Sequence, residues 1–158
     1  MMNDSFPSGA VLVVGGSGGI GQAVATEFAR SGADVALTYR SRREAAERVA
    51  AGIRSLGRRA SIHQLTIGDR ERCESVVSEA VDSHARLHTI VVGAGTLAQP
   101  VRIADMTVEQ WRTVIDQDLD GFYNILQATL NRMKGWGGGS YVHLGSVGHL
   151  LWPERDVL

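Results

Sequence analysis

Short apolar runs alternate along the chain with longer stretches whose apolar residues recur every three or four positions. The short runs fall at residues 10–14, 34–38, 60–65, 88–92 and 140–144. They show little in-and-out alternation, which predicts strands covered on both faces. The spacing between them predicts helices. The first covers 19–30, with Ile20, Val24 and Phe28 four apart and a stop at Gly32. The second covers 42–56, with Ala45, Val49, Ile53 and Leu56 on one stripe and a stop at Gly57. A third starts near Asp69, a good N-cap, and carries Cys73, Val77, Ala80 and Val81. A fourth opens at Thr107, where Thr107 and Gln110 predict a capping box. Its apolar face runs through Trp111, Val114, Ile115, Leu119, Phe122, Ile125 and Leu126.

Strand and helix in alternation predict an α/β fold, a doubly wound parallel sheet of five strands with helices on both faces. Sheets of this kind take ligands at the carboxyl ends of their strands, where the winding direction reverses. No repeat or long linker interrupts the pattern, and 158 residues suit one core, so residues 1–158 are expected to form one domain.

One stretch stands out at such a strand end. Residues 15–21 read GGSGGIG, five glycines in seven positions, between the first strand and the first helix. Glycine weakens both kinds of element, so its density here needs a reason. A strand-to-helix turn aims backbone N–H groups and a helix dipole at one place, and a side chain there would keep a pyrophosphate away. With a strand before it, a helix after it and a second strand a dozen residues on, the turn predicts nucleotide binding.

Composition narrows the alternatives. Hydrophobic residues make up 44% of the chain and charged residues 21%, as in a soluble globular protein. The net charge of −1 argues against a nucleic-acid partner, and Arg42-Arg43 and Arg58-Arg59 read as solvated helix ends. Cys73 is the single cysteine, so no internal disulfide is expected, which suits a reducing cytoplasm. The first ten residues lack the pattern of a signal peptide, and no apolar run is long enough to span a bilayer, so no membrane association is expected. Asp116, Asp118 and Asp120 do not share a helix face, and no metal site is expected from them. A serine hydrolase at Ser146 would need a histidine held by an acid, and His143 has no evident one. A methyltransferase would need an acid ending the second strand, where Tyr39 stands.

The spacing of Gly15, Gly19 and Gly21 resembles the T-G-x-x-x-G-x-G motif of the short-chain dehydrogenase/reductase family, with Val14 at the threonine position. The resemblance runs on in register over nearly the whole chain. Val91 to Gly95, VVGAG, resembles the family's N-N-A-G segment. WRTVIDQDLDG, from Trp111, resembles its W-x-x-x-x-x-x-N-L-x-G segment, and SYVHLGSVG, from Ser140, its fifth strand with the catalytic serine, here Ser146.

This resemblance implies a Rossmann-like sheet and NAD(P)-dependent hydride transfer between nicotinamide and a small carbonyl or alcohol substrate. It implies cofactor contacts from Gly15, Ser17, Gly19, Ile20 and Gly21, from Arg40 and Ser41, and from Gly93, Ala94 and Gly95, with Ser146 and Asp118 at catalytic positions. Arg40 offers a charged fork for a 2′-phosphate, and no acid ends the second strand, so NADP is the expected cofactor, with NAD as the other choice. Homo-oligomers are implied for the whole protein.

The departures matter. Val92-Gly93 replaces the asparagine pair, Asp118 the catalytic asparagine, and Thr66 the acid beside the adenine. The family's Y-x-x-x-K tyrosine would fall at position 159. The expectation is therefore a family portion lacking the C-terminal strands and inactive alone. A non-catalytic or redox-altered dinucleotide binder is the alternative.

Overall fold

The computed structural model describes residues 6–96 and 101–146. Five strands, β1 (Ala10–Val14), β2 (Asp34–Tyr39), β3 (Ala60–Gln64), β4 (Leu87–Val92) and β5 (Ser140–His143), form one parallel sheet in the order β3-β2-β1-β4-β5. The helices are α1 (Gly19–Arg30), α2 (Arg43–Ser55), α3 (Arg70–His84), α4 (Val108–Val114) and α5 (Gly121–Gly135). The chain winds outward from β1 to β3, then returns to place β4 on the other side of β1. The winding therefore reverses between β1 and β4.

Strand alternation divides the core in two. Val11 and Val13 of β1, with Val35 and Leu37 of β2, pack against α1 and α2. Leu12 and Val14 face the opposite way, against Cys73, Val76 and Val77 of α3 and Ile125 of α5. Every residue of β1 and β4 is buried, as the unbroken apolar runs predict. Strands β3 and β5 are more open, each having one neighbouring strand among the described residues.

The α1 stripe sits one residue from its predicted place, whereas α2 buries Val49 and Ile53 as predicted. α1 buries Gly21, Ala25 and Ala29, while Ile20 is 68% exposed and Val24 and Phe28 lie half-buried at the flanks. α2 buries Ala46, Val49, Ala50 and Ile53, and Leu56 is exposed past its end. Small residues let a helix backbone approach a close-packed sheet, so in α1 the alanines take the contact line and the bulky residues fill the margins.

The fourth predicted helix is broken. The capping box is present, with Gln110 N–H donating to Thr107 Oγ1 at 3.1 Å and Thr107 N–H to Gln110 Oε1 at 2.8 Å. After α4, however, Ile115–Asp120 form a π-helical turn before α5 begins. The wider turn shifts the register of the apolar face. Leu119 (59%) within the turn stands exposed, as do Trp111 (41%) before it and Tyr123 (48%) after it, while Ile125 remains buried.

A polar chain crosses the interface of β3 and α3. Ser61 Oγ lies 2.9 Å from both His63 Nε2 and His84 Nε2, and His63 Nδ1 lies 3.0 Å from Glu79 Oε2. The Arg72 fork grips Glu79 and holds its carboxyl below the usual range. An ionised carboxylate only accepts, so His63 carries its proton on Nδ1.

His84 is 2% exposed, and burial, aided by the nearby Arg59 charge, pushes its pKa from 6.5 down to about 4. The unfolded chain therefore binds a proton at His84 that the folded chain refuses. Stability from this group is complete above pH 6.5, falls as pH drops from 6.5 to about 4, and is constant below that. The expected loss between pH 7.5 and pH 4.5 is about 2–3 kcal/mol. Urea unfolding at pH 7.5 and pH 4.5 measures it. His84→Gln, which keeps a donor for Ser61, should lose markedly less over that interval; an unchanged loss would assign it to another group.

Candidate functional site

The carboxyl ends of β2, β1, β4 and β5 lie in that spatial order, bringing the segments after each strand along one side of the sheet. The glycine turn sits at the centre. Gly15 has φ +84°, a conformation L side chains rarely adopt, and a Cβ there would come within 2.9 Å of Ala94 N. Its N–H donates to Thr38 Oγ1 at 3.0 Å, and its carbonyl accepts from Gly18 N–H at 3.0 Å. Thr38 thus ties the turn to the end of β2. No motif marks this role; the only trace in the sequence is a hydroxyl near the end of an otherwise apolar strand.

α1 starts with Gly18 at its N-cap and no side chain capping it. The first turn leaves N–H groups pointing out of the helix end. A Cβ at Gly21 would fall inside the contact radius of the Gly15 carbonyl oxygen, so this glycine is required by the fold itself. Gly19 differs: outside its own helical turn, a Cβ there would meet no atom of the described residues within 4 Å. Ser17 is buried in the turn, and Ile20 projects outward beside Gly19.

β4 delivers the next segment. Gly93 N–H donates to Val14 O at 2.9 Å, which holds Gly93 and Ala94 against the glycine turn. Asp118, in the π-helical turn, accepts from Thr96 N–H at 2.7 Å, and a Cβ at Gly95 would lie 3.5 Å from its Oδ1. The structure therefore brings Gly15, Gly93, Ala94, Gly95 and Asp118 into one neighbourhood. Ser146 is exposed just beyond β5, one strand farther out.

Beyond β2, Arg40 and Ser41 are exposed. Arg42 is exposed at the N-cap of α2, as its reading as a solvated helix end expects, and its guanidinium reaches to 3.8 Å from where a Gly18 Cβ would stand. Gln64 donates from Nε2 to the Arg40 carbonyl at 3.1 Å. Neither contact was legible in the sequence, because both join residues of separate elements. Thr66 is exposed past β3. Among the described residues, no group of three or more histidine, cysteine, aspartate or glutamate side chains could hold a metal ion, and no helix is long and apolar enough to cross a membrane.

A parallel sheet covered on both faces, with a glycine-rich turn at its winding reversal, defines a Rossmann-like α/β protein. Residues 9–152 match the family described as short chain dehydrogenase, and the chain belongs to that family.

A 3-oxoacyl-(acyl-carrier-protein) reductase FabG of Aggregatibacter actinomycetemcomitans is 35% identical over 151 residues, covering 95% of this chain and 62% of the relative. An NADP-dependent mannitol dehydrogenase of Alternaria alternata is 33% identical, covering 97% of this chain and 59% of the relative. The structure of a short-chain type dehydrogenase/reductase from Mycobacterium ulcerans superposes with a TM-score of 0.89 at 26% identity, covering 96% of this chain and 56% of that one. The chain thus spans about three-fifths of the length of the relatives it matches. These relatives are oxidoreductases by name.

Proposed function

We propose that the protein is an NADP(H)-linked oxidoreductase acting on a small carbonyl or alcohol substrate. The observation that carries this reading is the open space at Gly19. Packing within the chain explains the absence of a side chain at Gly15 and Gly21, but nothing among the described residues requires one to be absent at Gly19. Gly19 is the first residue of α1, whose N-cap carries no side-chain hydrogen bond, and a pyrophosphate at such a helix start is favoured by hydrogen bonds and by the helix dipole.

In this reading, Gly15, Ser17, Gly19, Ile20 and Gly21 hold the pyrophosphate, and Gly93, Ala94 and Gly95 border the nicotinamide half. Arg40, Ser41 and Arg42 surround the adenosine 2′-phosphate. The dinucleotide, when bound, supplies or accepts the hydride. Ser146 holds the substrate oxygen through its hydroxyl. Asp118 fixes the segment after β4 through Thr96 N–H and organises water there.

Asp118 also supports a second reading. It lacks the amide donor of an asparagine, which fits a dinucleotide binder with altered turnover.

The exposed Trp111, Leu119 and Tyr123 suit a homo-oligomeric contact in the whole protein. Cys73 is buried and its thiol is pushed up to about 12 by burial, an unreactive state that fits a cytoplasmic protein.

The cofactor reading predicts that NADPH binds more tightly than NADH. A hydrogen bond to a charged group contributes about 1.5–3 kcal/mol, so Arg40→Ala should weaken NADPH roughly tenfold or more and leave NADH nearly unchanged. Titration calorimetry of the parent and the variant tests this. Equal affinities for the two cofactors in the parent would reject the assignment.

A further inference from the structure

We infer that Gln64 is a positioning residue for cofactor choice, acting through Arg40; the inference rests on the NADP(H) reading above. The parallel ladder between β2 and β3 has Tyr39 and Gln64 as its last register pair, and Leu65 N–H still donates to Tyr39 O at 2.9 Å. Arg40 is the next residue, at the point where the chain leaves the sheet. Gln64 extends the pairing by one rung: its side-chain amide donates to Arg40 O at 3.1 Å, as a backbone N–H would. That bond restrains the Arg40 peptide and so sets the direction in which the Arg40 side chain leaves the chain.

Gln64 is itself held. Its carbonyl accepts from Arg72 Nε at 2.9 Å. The other end of that guanidinium grips Glu79, which also pairs with His63, the residue preceding Gln64 in β3. Arg72 is fixed further at the start of α3, where its N–H donates to Asp69 Oδ1 at 2.9 Å. A closed ring of β3 and α3 contacts thus anchors the Gln64 backbone while its amide reaches sideways to Arg40. An exposed arginine has many rotamers to lose on gripping a phosphate, and a fixed starting point lowers that cost.

The experiment measures NADPH and NADH affinities by calorimetry for the full chain, Gln64→Leu, Arg40→Ala and the double variant. Gln64→Leu removes the amide at similar size, and loss of one neutral hydrogen bond corresponds to about fivefold. The expected result is NADPH weakened about fivefold, NADH changed less than twofold, and the double variant no more than about twofold weaker than Arg40→Ala. Should Gln64→Leu fail to fold, Gln64→Glu keeps the size and removes the donor, and the same differential loss is expected. An unchanged NADPH affinity overturns the inference. Equal losses for both cofactors overturn it too, since they would mark a merely structural role, as would full additivity with Arg40→Ala. Equal NADPH and NADH affinities in the unsubstituted chain would reject the phosphate reading at the outset, a result visible before any variant is compared.

Discussion

Gly19→Val is expected to abolish NADPH binding while the chain melts within a few degrees of its parent. The two halves of that outcome rest on one fact. Outside its own helical turn, a Cβ at Gly19 meets no atom of the described residues within 4 Å, so the valine methyls enter space that none of them fills. If that space is where the pyrophosphate lies, the methyls displace it from the N–H groups of α1. Each charge-assisted hydrogen bond lost there costs about 1.5–3 kcal/mol, so losing two reduces affinity by at least about a hundredfold.

Gly21→Ala supplies the contrast. Its Cβ would collide with the Gly15 carbonyl oxygen and lie 3.0 Å from Gly16 Cα, so it should lower the melting temperature. Calorimetric titration alongside thermal melts separates the two effects. A Gly19→Val chain that binds NADPH normally would show that the turn holds no phosphate.

The second large effect concerns turnover. Residues 1–158 are expected to oxidise no NADPH above background with any ketone. Carbonyl reduction needs a proton donor beside the oxygen held by Ser146, and an effective donor has a pKa near the working pH. The sequence has three tyrosines. Tyr39 is buried at the end of β2, and Tyr123 stands on the exposed face of α5. Tyr141 lies in β5, where burial pushes its phenol up to about 12, away from the range a donor needs. The one lysine, Lys134, sits near the end of α5, before the start of β5, whereas Ser146 lies past the carboxyl end of that strand. Assaying purified residues 1–158 with NADPH and a panel of ketones checks this. Turnover that disappears in Ser146→Ala would mean that another group donates the proton, and would overturn the expectation. Binding of NADPH without turnover is the expected outcome.

Much of the fold was legible in the sequence because the signals are local. β1 has the boundaries its apolar run predicts, and the other strands differ by one residue at an end. Asp69 caps α3 by accepting from Arg72 N–H, and Thr107 and Gln110 form their capping box. These features depend on residues three or four apart, and periodicity and side-chain chemistry report them directly. The glycine motif is local too, and its spacing was enough to place it at the turn between β1 and α1.

What periodicity could not tell was where bulk would be tolerated. Ile20, Val24 and Phe28 have the spacing of a buried stripe, yet the sheet takes Gly21, Ala25 and Ala29, because the distance between helix and sheet is set by both surfaces together. The π-helical turn at Ile115–Asp120 was equally hidden. An uninterrupted apolar pattern suits a continuous helix, and the break is seen only where Asp118 turns to meet Thr96.

The sequence by itself determined the alternation of elements, the parallel sheet and the position of the glycine turn, since each follows from short-range pattern. The tertiary structure alone decided which glycine is open and which is packed. It alone brought Thr38 to Gly15, Arg42 towards Gly18 and Gln64 to Arg40. Those contacts join residues far apart in the chain, and their partners are chosen by strand order and register, which no single segment encodes.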